Sequence, residues 1–193
     1  MAKVYVLMGK SSTGKDTVYK RLMEESDSLK SVVIYTTRPM REGEEDGREY
    51  YFISDEKLNE LQSEGKIIEY REYNTVFGIW KYFTVDDGQI DRNSDNKFLV
   101  IGTLEAYTKF VSYYGKDQVV PIYIEVDDRT RIHRAIMRED NEKTPKYAEM
   151  CRRFLADEED FSEDKISAAG IGRRFHNFDL EKCVSEILDI IEK

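Results

Sequence analysis

Residues 9 to 15 read Gly9-Lys10-Ser11-Ser12-Thr13-Gly14-Lys15, directly after the apolar run Lys3-Val4-Tyr5-Val6-Leu7-Met8. The run is a short buried strand, and Asp16 to Glu25 continues as a helix with Val18, Leu22 and Met23 on one side. Two glycines with a lysine directly after the second, set between strand and helix, are the spacing of a phosphate cradle. Gly9 and Gly14 allow turns that aim successive N–H groups of Ser11, Ser12 and Thr13 at one anion, and the helix N-terminus adds positive potential. Lys15 supplies a mobile cation. After it stand Asp16 and Thr17, where a hydroxyl for a metal usually comes first. A carboxylate is a good hard ligand for Mg²⁺, which makes Asp16 the metal candidate, provided it does not simply face away as a first-turn acid.

The whole chain supports a single domain of this kind. Its 193 residues suffice for one α/β unit with a small insertion. A net charge of -9 argues against a nucleic-acid partner, which needs a basic face. Cys151 and Cys183 have neither metal spacing nor a disulfide framework. No apolar run suits a signal peptide or a membrane span, so a cytoplasmic enzyme is expected.

Further strands are expected at Val32–Tyr35, Tyr50–Ile53, Ile67–Tyr73, Trp80–Val85, Phe98–Ile101 and Val119–Val126. Helices are expected after Ser54, over Leu104–Tyr114 and Asp128–Arg138, over Tyr147–Asp164 without a break, and at the C-terminus. Strands alternating with helices imply a parallel sheet covered on both faces.

The segment Thr36-Thr37-Arg38-Pro39-Met40-Arg41 through Gly47-Arg48-Glu49-Tyr50-Tyr51-Phe52, at its distance from the cradle, resembles the guanylate kinase family. The resemblance implies a P-loop three-layer sandwich with a parallel sheet core, an inserted nucleotide-monophosphate-binding subdomain and a helical lid. The expected divisions are a core over about 1–35, 97–137 and 165–193, a subdomain over about 36–96 and a lid over about 138–164. It also implies ATP as donor, Mg²⁺ as cofactor, small-molecule nucleotides as partners, and GMP as the favoured acceptor.

Several residues carry those roles. Arg38 and Arg41 lie three apart in a glycine-bearing loop, where two guanidinium forks can converge on a phosphate, and Tyr50 adds a hydroxyl. In the family the matching residues hold the acceptor phosphate. Glu69 matches the carboxylate that reads guanine, and Asn177 a position beside the adenine. Arg134 and Arg138, four apart on one helix, and Arg153 on the next match the arginines that close over the phosphates.

The base-reading positions depart from the pattern. Phe77 lacks the family's phenol, Ile79 lacks its hydroxyl, and Thr103 stands in place of an acid. Guanine selection is therefore expected to be weak. Another monophosphate remains open as acceptor, and so does a sugar bisphosphate, since Gly14-Lys15-Asp16 is also similar to a ribose 1,5-bisphosphate kinase. A non-catalytic guanylate kinase-like binding module is the alternative of another class.

Overall fold

The structure, a computed structural model, describes residues 1–75 and 78–193; Val76 and Phe77, the latter a predicted acceptor residue, lie outside the described residues. In chain order the elements are β1 (Lys3–Met8), α1 (Lys15–Glu25), β2 (Leu29–Ser31), β3 (Tyr35–Thr36), β4 (Tyr51–Phe52), α2 (Asp55–Ser63), β5 (Ile67–Thr75) and β6 (Gly78–Val85). Then follow β7 (Lys97–Ile101), α3 (Leu104–Tyr114), β8 (Val119–Glu125), α4 (Asp128–Asp140), α5 (Tyr147–Asp160), α6 (Glu163–Ala168), β9 (Arg174–His176) and α7 (Leu180–Ile191).

Every residue of β1 after Lys3 is buried, because the strand is covered on both faces. Val4, Val6 and Met8 point to one side, where they pack with Phe110 of α3, Phe161 and Ile166. Tyr5 and Leu7 point to the other, against Val18 and Leu22 of α1 and Val184 and Ile187 of α7. That alternation makes three layers. The central sheet is parallel throughout, in the order β2-β7-β1-β8-β9. The cradle leaves the C-terminal edge of its middle strand, where ligands of open α/β sheets bind.

A second sheet, ordered β4-β3-β6-β5, is covered by α2 through Leu58, Leu61, Phe83 and Val85. A bulge between Ile67 and Glu69 lets consecutive residues of β5 both be buried. Ile68 joins the main core while Glu69 lies among polar partners.

Three expectations change. The predicted strand Val32–Tyr35 is mostly a connection between two sheets: β2 ends before it at Ser31, and β3 starts at its last residue, Tyr35. Between them the Gln89 side chain takes a strand's place, accepting from Val33 N at 2.9 Å and donating to Val33 O at 3.1 Å. The predicted helix Tyr147–Asp164 breaks at Phe161, which turns inward onto the Tyr123 ring. β9 went unpredicted; three residues with one buried side chain leave no periodicity to read.

Candidate functional site

The cradle is built by backbone conformations that side chains forbid. Gly14 has φ 89°, and a Cβ there would lie 2.5 Å from Asn177 Nδ2. A Cβ on Gly9 would lie 2.4 Å from the carbonyl oxygen of Ile124. Ser12 takes a positive φ of 64° without being glycine, a costly conformation typical of ligand-binding loops. Thr13 is buried and donates to Lys10 O at 2.9 Å. Lys15 Nζ folds back onto the loop, donating to the carbonyls of Gly9 at 2.7 Å and Lys10 at 2.9 Å. Burial pushes its amine down to about 8; Asp16 and Asp157 oppose that, and Arg131 and Arg138 reinforce it.

The cradle already holds an anion, and the anion belongs to the protein. Asp157 of α5 accepts from Ser11 N at 2.6 Å. Its neighbour Glu158 pairs with Lys10 at 2.6 Å and with Arg131 at 2.7 Å. Arg131, on α4, is wholly buried. It donates to Ser11 O at 3.2 Å and also meets Asp128 at 2.7 Å and Asp157 at 3.2 Å. Its guanidinium lies 4.4 Å from the centre of the Phe154 ring. Burial opposes ionisation of Glu158, yet Lys10 and Arg131 together hold its carboxyl below the ordinary value.

The predicted lid arginines divide. Arg134 brackets the cradle, donating to Thr13 O at 3.3 Å and Asn177 O at 2.9 Å. Arg138 is exposed, near enough to Lys15 to depress its amine. Arg153 is 4.0 Å from Glu139, and its Nε is buried with no hydrogen-bond partner. Among the described residues the other such atom is Ser12 Oγ, in the cradle itself. Buried polar atoms without a partner are few in native proteins and are explained by strain, a functional role, or a bound water or ion. Asn177 is buried and spends its amide N–H on Thr13 O at 2.8 Å, tying β9 to the loop.

On the acceptor side Arg38 is buried and forked onto Glu44, at 2.5 and 2.7 Å, which holds the Glu44 carboxyl at about 2. Arg38 also lies over the rings of Tyr50 and Phe52, at 4.9 and 5.3 Å. Arg41 is exposed, 5.8 Å from the centre of the Trp80 ring. Tyr50 joins the halves. Burial raises its hydroxyl, Tyr82 and Asp16 add to the rise, and Arg38 and Arg71 oppose it. Asp16 is exposed at the start of α1, with its charge felt by both Lys15 and Tyr50. Thr17 is exposed beside it.

An open cavity of about 710 Å³ adjoins this region, lined by Arg71, Tyr73, Thr103, Glu105 and Lys165 among others. Thr103 accepts from Ala106 N at 3.2 Å as the cap of α3, leaving its O–H to donate. Ile79 is 53% exposed on β6 and is not among the lining residues. Glu69 is not among them either. Its side chain is 1% exposed, bonded by Arg71 and by Thr84.

Magnesium fits a modest donor set here. No group of three or more His, Cys, Asp or Glu that could hold a metal occurs among the described residues. Asp16 offers one hard, exposed carboxylate directly after Lys15, and Mg²⁺ is commonly held by one or two carboxylates together with substrate phosphates and water. No helix among the described residues is long and apolar enough to cross a membrane.

Sequence reasoning missed Arg131, Asp157, Glu158 and Arg71. The first three read as an ordinary charged helix surface. Arg71 left a usable sign: it stands two residues from Glu69 in a strand, a spacing that puts opposite charges on one face.

A family model described as guanylate kinase matches residues 1–163. The chain is similar to the guanylate kinase of Wolbachia sp. subsp. Brugia malayi (strain TRS), 27% identical over 191 residues, 97% of this chain and 91% of that protein. Similarity to the guanylate kinase of Clostridioides difficile (strain 630) is higher, 43%, over 74 residues, which are 38% of this chain and 36% of that one. The crystal structure of guanylate kinase from Anaplasma phagocytophilum superposes with a TM-score of 0.64 at 25% identity, covering 99% of this chain and 85% of that one.

Proposed function

The chain belongs to the guanylate kinase family, and on that premise we propose that it passes the γ-phosphoryl group of ATP to GMP, giving ADP and GDP. The observation that carries the reading is the cradle at Gly9–Lys15, which binds an anionic oxygen through Ser11 N–H. ATP's phosphates take the place of the Asp157 carboxylate there, and Lys15 turns from the loop carbonyls to the phosphate oxygens. Arg38, Arg41 and Tyr50 hold the acceptor phosphate, with Glu44 fixing the Arg38 fork.

No general base is needed, because the acceptor oxygen is already anionic. Catalysis then consists of alignment and charge neutralisation. Arg134 is placed against the cradle, while Arg138 and Arg153 approach from the lid. Asp16 would hold Mg²⁺, which when bound neutralises charge on the transferring phosphates. The core, acceptor subdomain and lid correspond to the parallel sheet, the second sheet with its loop, and the region around α5. A cytoplasmic setting suits a reaction between two free nucleotides.

A panel of nucleoside monophosphates with ATP and Mg²⁺, assayed for both products, tests the proposal. It expects ADP and GDP in equal amounts with GMP. ATP binding without ADP release for any monophosphate would favour a binding module instead.

A further inference from the structure

The predicted guanine reader is not the residue that faces the cavity. Glu69 accepts from Arg71 Nε at 2.9 Å and Arg71 Nη2 at 3.2 Å, and from Thr84 Oγ1 at 2.9 Å. With three bonds made and a side chain 1% exposed, the carboxylate is sealed beneath Arg71, itself 12% exposed. Neither bond to Glu69 uses Nη1, and Arg71 lines the cavity. The far edge of its fork interacts with the Tyr73 hydroxyl, and the N–H groups left over from Glu69 and Tyr73 make it a donor surface. Thr103 adds a second donor, its O–H, while one lone pair of its oxygen caps α3. Arg71 is paired across the sheet with Tyr82, whose ring lies 5.6 Å from that of Tyr50 in the acceptor-phosphate group.

We infer that Arg71 reads the acceptor base through carbonyl and ring-nitrogen acceptors, and that Glu69 positions Arg71 without touching the base. The inference rests on the acceptor site proposed above. A guanidinium edge matches the O6 and N7 acceptors of a purine, the commonest arginine contact to guanine. It opposes the N6 amino group of adenine, donor against donor. It takes no account of the 2-amino group, which a free Glu69 carboxylate would bind. The substrate class is therefore 6-oxopurine nucleoside monophosphates, with or without the 2-amino group. On this inference AMP is discriminated against more strongly than the base-reading positions imply, by a residue outside the family's pattern.

The test is direct binding, read by calorimetry without ATP, of GMP, of inosine 5′-monophosphate, which lacks the 2-amino group, and of AMP. Wild type is expected to bind the first two within about fivefold of each other and AMP about 10²-fold more weakly. Arg71→Ala uncovers Glu69, so GMP should then bind about tenfold or more tightly than inosine monophosphate, one charge-assisted hydrogen bond's worth. The wild-type comparison stands alone should that variant not fold. If the binding pattern holds but no ADP is released in the kinase assay, the kinase reading fails and the inference stands. Wild type binding GMP more than about 20-fold tighter than inosine monophosphate overturns the inference, whatever the turnover.

Discussion

Asp157 Oδ2 accepts a 2.6 Å hydrogen bond from the backbone N–H of Ser11, across 146 residues of sequence. A carboxylate of α5 thereby occupies a donor that a phosphate requires, and ATP must displace it. Asp157→Ala should tighten ATP binding roughly 5- to 30-fold, since about 1–2 kcal/mol of charge-assisted bonding no longer competes. Arg131 keeps Glu158 and Asp128 as partners in that variant. A dissociation constant unchanged or higher, by isothermal calorimetry, would show that Asp157 does not compete.

The buried cation behind that contact has its own consequence. Arg131 is 0% exposed and meets three carboxylates. Removing it leaves the Asp157 carboxylate, 15% exposed, without its cation, at about 1–3 kcal/mol, while Asp128 and Glu158 are 59% and 39% exposed and Glu158 keeps Lys10. Arg131→Met should lower the urea midpoint accordingly. Adding Asp157→Ala and Glu158→Gln should restore most of the loss, because no unpaired charge then remains buried. A single variant within about 1 kcal/mol of wild type contradicts the account.

Lys15 predicts a pH signature. Its amine is depressed to about 8 by burial, so above that pH the free enzyme loses the charge that meets the phosphates. ATP supplies negative charge and raises the amine again. Binding near pH 8.5 should therefore take up a proton, seen as a dependence of the binding enthalpy on buffer ionisation, and the uptake should vanish by about pH 6.5. The stability effect has a definite sign. The amine is lower folded than the unfolded 10.5, so burying the charge weakens the fold fully below about 8 and progressively less as pH rises towards 10.5. Proton release on ATP binding at pH 8.5 would contradict the assignment.

Asp16 acts on both Lys15 and Tyr50, so it repels a triphosphate that arrives without metal. Asp16→Ser should bind metal-free ATP about tenfold more tightly than wild type, a value reduced by solvent from the roughly 3 kcal/mol of an unscreened pair at 5 Å. Its affinity for ATP with Mg²⁺ should not improve. Equal metal-free affinities would place the carboxylate outside the phosphate field.

Local signals made much of this legible. The strand, two glycines and Lys15 announced the cradle, and the bounds of α3 follow from its Thr103 cap and apolar spacing. What escaped depends on contacts far apart in sequence. Arg131 looks like any arginine on a charged helix until Asp157 and Glu158 arrive from α5 to bury it. Phe161 ends a helix where it turns into the core onto Tyr123. Glu69 was found by resemblance, yet what covers it is Arg71, and only a fold in which β5 lines a cavity shows which of the two lines it.

The central claim is phosphoryl transfer at the Gly9–Lys15 cradle, and Lys15→Ala tests it most directly. The variant removes the cation without altering the backbone that glycines shape, so its thermal unfolding should stay close to wild type. The measurement is kcat for GDP formation from ATP, Mg²⁺ and GMP in both proteins. The account predicts a fall of about 10³-fold or more, in line with losing a transition-state charge partner. A folded variant that keeps wild-type turnover would place the chemistry elsewhere.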